Sequence, residues 1–100
     1  MTLVRVTPRA RADLKAIAHW TLCNWGEARM AIYLRSIASR FDWLAQNPNR
    51  GRDRSDIGAG YRSFPEGRHL IFYLVLPDAI AIIGVPHQAM DVASRFDSEI

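Results

Sequence analysis

Five side chains in the second half of the chain have the types that act on a phosphodiester: Arg62, Arg68, His69, Tyr73 and His87. Cleaving an RNA strand needs a base for the 2′-hydroxyl, an acid for the leaving oxygen and cations for the charge that builds on phosphorus. Histidine and arginine can fill those roles. The same residues admit a plainer reading, in which Arg62 and Arg68 flank a turn and keep a sheet edge soluble while His69 is a half-buried strand residue. Other chemistries find less support. His19, His69 and His87 are spread along the chain, and His19 has no histidine or carboxylate three or four residues away, so no metal site is expected. The glycines stand singly, without the clustering of a phosphate-cradling loop, and a Ser-His-Asp set has no nucleophile elbow to organise it. No cofactor and no catalytic residue are assigned on this basis.

The elements that would carry these residues are strands. Residues 68–76 and 79–85 are rich in Ile, Leu, Val, Phe and Tyr, and Pro77-Asp78 between them suits a tight turn. A second turn at Pro65-Glu66-Gly67 separates the first run from 61–64, which predicts a three-strand antiparallel meander. Within its middle strand Leu70, Phe72, Leu74 and Leu76 point one way and Ile71, Tyr73 and Val75 the other. Both sets are apolar, so one face belongs on helices and the other needs a second cover, from a chain terminus or another protein.

The helices precede the meander. A short alternating stretch over 3–6 reads as an edge strand, and Thr7-Pro8 reads as an N-cap with proline in the first turn. Ala10, Leu14, Ile17, Ala18, Thr21 and Trp25 then recur at helical spacing until Gly26, a C-terminal cap. Met30, Leu34, Ile37, Phe41 and Leu44 form the stripe of a second helix, which stops at Asn47-Pro48. A one-residue break makes the two an antiparallel helical hairpin. Residues 49–59 read as a polar loop, and 88–96 as a short C-terminal helix using Met90, Ala93 and Phe96. Trp20, Ile32 and Trp43 fit neither stripe, and tryptophan is enriched at protein interfaces. The expected class is α+β: N-terminal strand, helical hairpin packed on a small antiparallel meander, and a short C-terminal helix.

With 100 residues the chain suits a single domain spanning 1–100. Its net charge of +3 is modest, and the densest basic cluster, Arg50, Arg52 and Arg54, is diluted by Asp53 and Asp56. Nucleic-acid binding through phosphate neutralisation shows a denser stripe than this, so no direct specific nucleic-acid binding is expected. No apolar run is long enough to span a membrane and the start lacks the apolar core of a signal peptide. A lone cysteine, Cys23, agrees with a reducing compartment, and the chain reads as cytoplasmic.

The order strand, helical hairpin, loop and meander, joined to GYRSFPEGRHLIFYLV and IIGVPHQAMD, resembles the ParE branch of the RelE/ParE superfamily of bacterial toxins. TPRARADLKAIAHW also looks like the family's first helix. The resemblance implies a toxin of a type II toxin–antitoxin pair, held in a hetero-oligomer by a ParD-like antitoxin, that inhibits DNA gyrase by binding without chemistry of its own. It implies Arg62, Arg68, His87 and Met90 for target binding, and Trp20, Ile71, Tyr73 and Val75 for the antitoxin. RelE-like relatives instead cut mRNA at the ribosome, and a ribonuclease and an inactive antitoxin-binding module stand as alternatives. The chain departs from the family pattern at Gly84 and Pro86, where Arg and Leu usually precede the histidine, and Pro86 is expected to end strand pairing early.

Overall fold

The computed structural model describes residues 3–88. The expected helix over 88–96, with Met90, therefore lies outside the described residues except for Gln88. β1 (Leu3–Val6) leads into α1 (Pro8–Trp25) through Thr7. The Thr7 hydroxyl accepts from the Ala10 amide at 3.2 Å and donates to the Ile82 carbonyl at 2.8 Å, so one side chain caps the helix and ties it to a strand far along the chain. Gly26 takes φ 90°, a region that side chains other than glycine rarely enter. It closes α1 through its amide on Leu22 and opens α2 (Glu27–Gln46) through its carbonyl on Met30. Asn47 then caps α2, and Pro48–Arg50 form a 3₁₀ turn.

Four further strands complete the sheet: β2 (Arg52–Asp53), β3 (Tyr61–Glu66), β4 (His69–Val75) and β5 (Ala79–Gly84). Their order across it is β1-β5-β4-β3-β2. β3, β4 and β5 form the expected antiparallel meander, and β2 adds a short antiparallel strand on one side. β1 lies on the opposite edge and runs parallel to β5, pairing Val4 with Ile80 and Val6 with Ile82.

Ile17, Ile37, Phe41 and Leu44 from the helices pack against Ile71, Tyr73, Ile80, Ile82 and Val85 from the sheet. Burying each such side chain is worth about 1.5–3 kcal/mol. This core corrects one expectation. Ile71 and Tyr73 do not form an open face for a partner; both are fully buried beneath the helical hairpin. The opposite face is Leu70 and Phe72, and its cover comes from this chain's own loop, where Ile57 and Tyr61 pack on Phe72 and the Arg54 guanidinium sits 5.2 Å from the Phe72 ring. The stretch 49–59, read as polar loop, thus contributes a turn, a short strand and an apolar plug.

A second correction concerns Trp25. The α1 stripe is buried at Ala10, Ile17 and Thr21, but Trp25 is exposed because its turn overhangs a groove and not a strand. Trp43 is half-buried, its ring 5.1 Å from that of Phe64 with the Arg40 guanidinium against both.

A groove between the helical hairpin and the sheet

The constellation of Arg62, Arg68, His69, Tyr73 and His87 separates into two places. Cross-strand partners in β3 and β4 are Arg62 with Tyr73 and Glu66 with His69, so Arg62 lies about 13 Å along the strand from Glu66 at 3.3 Å per residue. At the first place the Tyr73 hydroxyl donates to the Pro48 carbonyl at 2.7 Å and accepts from the Gly51 amide at 2.9 Å. Arg62 donates to the Gly51 carbonyl at 2.8 Å. A side chain at Gly51 would collide with the Tyr73 ring, so glycine is required by that close approach. Tyr73 and Arg62 therefore fasten the 3₁₀ turn to the sheet. Burial pushes the Tyr73 phenol up from its ordinary range, and at neutral pH it stays a hydroxyl able to donate.

The second place is the mouth of a groove of about 820 Å³ between the hairpin and the sheet. Its helical wall carries Trp20, Trp25 and Ile32, which are 53%, 55% and 63% exposed. Arg68, His69 and His87 line the other side. The organiser is Tyr33 of α2, which sequence reasoning passed over. Its hydroxyl accepts from the Arg68 amide at 3.1 Å, donates to the Glu66 carbonyl at 3.2 Å and lies 2.6 Å from Nδ1 of His69. Gly67, at φ 57°, lies under the Tyr33 ring, where an added Cβ would come within 2.6 Å of Cε1. The available signal was position, since Tyr33 falls on the flank of the apolar stripe, three residues after Met30 and four before Ile37.

Beside it, the Ser36 hydroxyl and the Arg40 guanidinium donate to the Glu66 carboxylate at 2.6 and 2.8 Å. Burial would raise the Glu66 carboxyl, but those two bonds outweigh it and hold it below the usual carboxylate range. His69 is pushed down to about 4 by burial and by the neighbouring His87, with Asp13 pulling weakly the other way. The imidazole is thus neutral at pH 7 and its Nδ1 is engaged by the Tyr33 phenol.

β5 loses its regular pairing at Gly84, which faces a bulge between Phe72 and Tyr73. Pro86 follows, yet contact with β4 does not end as expected from the proline. The Leu70 amide donates to the Pro86 carbonyl at 2.9 Å, and His69 and His87 form a further bridge with their rings 5.3 Å apart. The Asp13 carboxylate of α1 accepts from the Val85 amide at 2.9 Å and so holds this segment against the helix. Of the residues expected to bind a target, Arg68 and His87 are exposed together at the groove, Arg62 is committed to the 3₁₀ turn, and Met90 lies outside the described residues. Of those expected to bind an antitoxin, Trp20 lines the groove, Ile71 and Tyr73 are in the core, and Val75 is exposed at the far end of β4.

Comparison with known proteins adds a family context to this geometry. The family described as "ParE toxin of type II toxin-antitoxin system, parDE" matches residues 4–92. Toxin ParE1 of Caulobacter vibrioides is 34% identical over 91 residues, covering 91% of this chain and 94% of the relative. Toxin RelE3 of the same organism is 34% identical over 88 residues, covering 87% and 95%. Among solved structures, a chain of the chromosomal ParDE system from P. aeruginosa superposes with a TM-score of 0.74 at 22% identity, over 87% of this chain and 96% of that one, a likeness of fold.

Proposed function

Because the chain belongs to the ParE toxin family of type II toxin–antitoxin systems, we propose that it inhibits DNA gyrase by binding and is neutralised by a ParD-like antitoxin seated in the groove. The observation that supports a binding mechanism is the dispersal of the phosphodiester constellation. Arg62 and Tyr73 fasten a turn at one end of the sheet, while His69 sits at the other with its Nδ1 on Tyr33. A general base must reach the proton it removes and cations must converge on the phosphate, whereas these residues are held at opposite ends of the sheet. The groove meets a different requirement. Exposed Trp20, Trp25 and Ile32 beside Arg29 and Arg68 suit the apolar row and acidic flank of an amphipathic helix that orders on binding. Target recognition falls to Arg68, His87 and the residues after them, with Arg62 acting through the turn it holds.

The test adds purified antitoxin-free protein to gyrase with supercoiled plasmid and, in parallel, to translating ribosomes with mRNA. Gyrase-dependent linear or nicked plasmid is expected, and Arg68→Ala should reduce it. The similarity to Toxin RelE3 gives the ribonuclease reading its own support. Codon-periodic mRNA cuts with intact plasmid would establish that reading and overturn this one.

A further inference from the structure

We propose that the fastened end of the sheet, where Arg50 and Arg52 stand on the 3₁₀ turn and β2, contacts the phosphate backbone of duplex DNA without reading its sequence. The choice of DNA as the duplex rests on the gyrase reading, because gyrase holds duplex DNA while it works.

Residues 49–62 hold four arginines against two carboxylates, so two of the chain's three net positive charges lie in this one stretch. The fold decides which of these cations are already engaged. Arg54 donates to both oxygens of Asp56 at 3.0 Å and lies against the Phe72 ring, its side chain only 18% exposed. Asp53 accepts from the Ser55 amide at 2.8 Å and stands opposite Arg62 in the β2–β3 register. Both carboxylates are thereby matched within the stretch. Arg50 and Arg52 are exposed, and among the described residues neither forms an ion pair with a carboxylate; Asp56 acts on Arg52 only through space.

The backbone between these two arginines is fixed before any partner arrives. Tyr73 holds the Pro48 carbonyl and the Gly51 amide, and Arg62 holds the Gly51 carbonyl, so little backbone freedom is lost on binding. The surroundings define the partner. None of the exposed large apolar side chains lies in 49–62, and Ile57 is buried on Phe72. A protein interface needs an apolar or aromatic centre, and single-stranded nucleic acid needs exposed rings on which to stack its bases. A duplex backbone needs only cations, and the planar fork of arginine takes two phosphate oxygens at once. This end of β3 is also the one away from Glu66 and the groove, so a chain held on its target through Arg68 and His87 can touch DNA at the same time.

The experiment follows the fluorescence anisotropy of a short labelled DNA duplex titrated with the full chain. With two phosphate contacts the slope of log Kobs against log salt should be about −1.8, which weakens binding about 12-fold between about 50 and 200 mM salt. A duplex of scrambled sequence should bind equally. Arg50→Gln with Arg52→Gln should remove saturable binding at about 50 mM salt, while Arg50→Lys with Arg52→Lys should keep the slope. Arg11→Gln with Lys15→Gln takes the same charge from α1 and should change the affinity less than about twofold, the contact being local. Should the double glutamine variant fail to fold by circular dichroism, Arg50→Gln alone replaces it and should flatten the slope by about 0.9. Absence of saturable binding, an equal loss in the α1 variant, or tighter binding of single-stranded RNA overturns the proposal. So does displacement by polyglutamate as effective as by unlabelled duplex at equal charge, which would mark the surface as one for an acidic protein. Neither gyrase nor antitoxin enters this assay. Plasmid left intact by gyrase would refute the toxin reading with the DNA contact still standing, and loss of the DNA contact leaves that reading untouched.

Discussion

Tyr73→Phe removes a single oxygen from the centre of the protein, and the structure indicates how much that oxygen holds. Tyr73 is fully buried, and its hydroxyl bridges the Pro48 carbonyl and the Gly51 amide. Phenylalanine fills the same space but leaves a buried amide and a partly buried carbonyl without partners. Leaving a buried polar group unsatisfied costs about 1–3 kcal/mol, so the pair should cost about 2–3 kcal/mol. Against a total stability of about 5–15 kcal/mol that is a large loss. For a domain of this size it corresponds to a fall in Tm of about 10–20 °C, read by calorimetry or by circular dichroism. Arg62→Ala acts on the same turn through the Gly51 carbonyl, so the two changes together should cost less than the sum of each alone. Antitoxin binding at a temperature where the variant is folded should be unchanged, since Tyr73 is remote from the groove. A fall in Tm below about 3 °C, or additive costs with Arg62→Ala, would refute the assignment of Tyr73 and Arg62 to a shared clamp.

Phe41→Ala should cost about 3–5 kcal/mol, because the ring is buried between Ile17 and Ile37 of the hairpin and the sheet; an unchanged urea midpoint would show the core to be elsewhere. His69 makes stability depend on pH. Its folded value of about 4 lies below the ordinary 6.5, so the unfolded chain binds the proton more readily and stability falls as pH drops through that window, being fully present above about 6.5. Urea midpoints at pH 7, 5.5 and 4.5 should show this slope, and His69→Gln should flatten it. Gly67→Ala should destabilise and disturb the groove rim, because φ 57° and the Tyr33 ring both resist a Cβ; an unaltered Tm would mean the ring moves freely.

The elements themselves were legible because their ends carry strong local chemistry. Thr7-Pro8, Gly26, Asn47-Pro48 and Pro77-Asp78 mark boundaries that the structure places at or beside the same residues. What could not be read was which side of β4 faces the helices. Ile71 and Tyr73 are as apolar as Leu70 and Phe72, so alternation alone does not orient the strand. Ile57 escaped notice because one apolar residue in a polar loop has no period, yet it is the plug over Phe72. The site divided for a similar reason. Arg62 and Arg68 are close in sequence, but extended backbone carries them to different ends of the sheet, and Tyr33 joins the groove through a helix that sequence spacing relates only to its own neighbours.

The parallel pairing of β1 with β5 also bears on how the protein is made. β1 leaves the ribosome well before its partner, since Val6 stands opposite Ile82. Contacts this distant in sequence are slow to close, because the intervening loop entropy must be overcome first. A nascent chain halted before residue 79 lacks the strand between β1 and β4 and so cannot complete the sheet. The Asp13 and Thr7 bonds to Val85 and Ile82 are then missing as well, and the groove has no floor at that end. A product that stops short of β5 therefore lacks the strand that joins β1 to the sheet and part of the groove lining. The groove itself can form only after Val85 and His87 have been made, so no earlier product presents it.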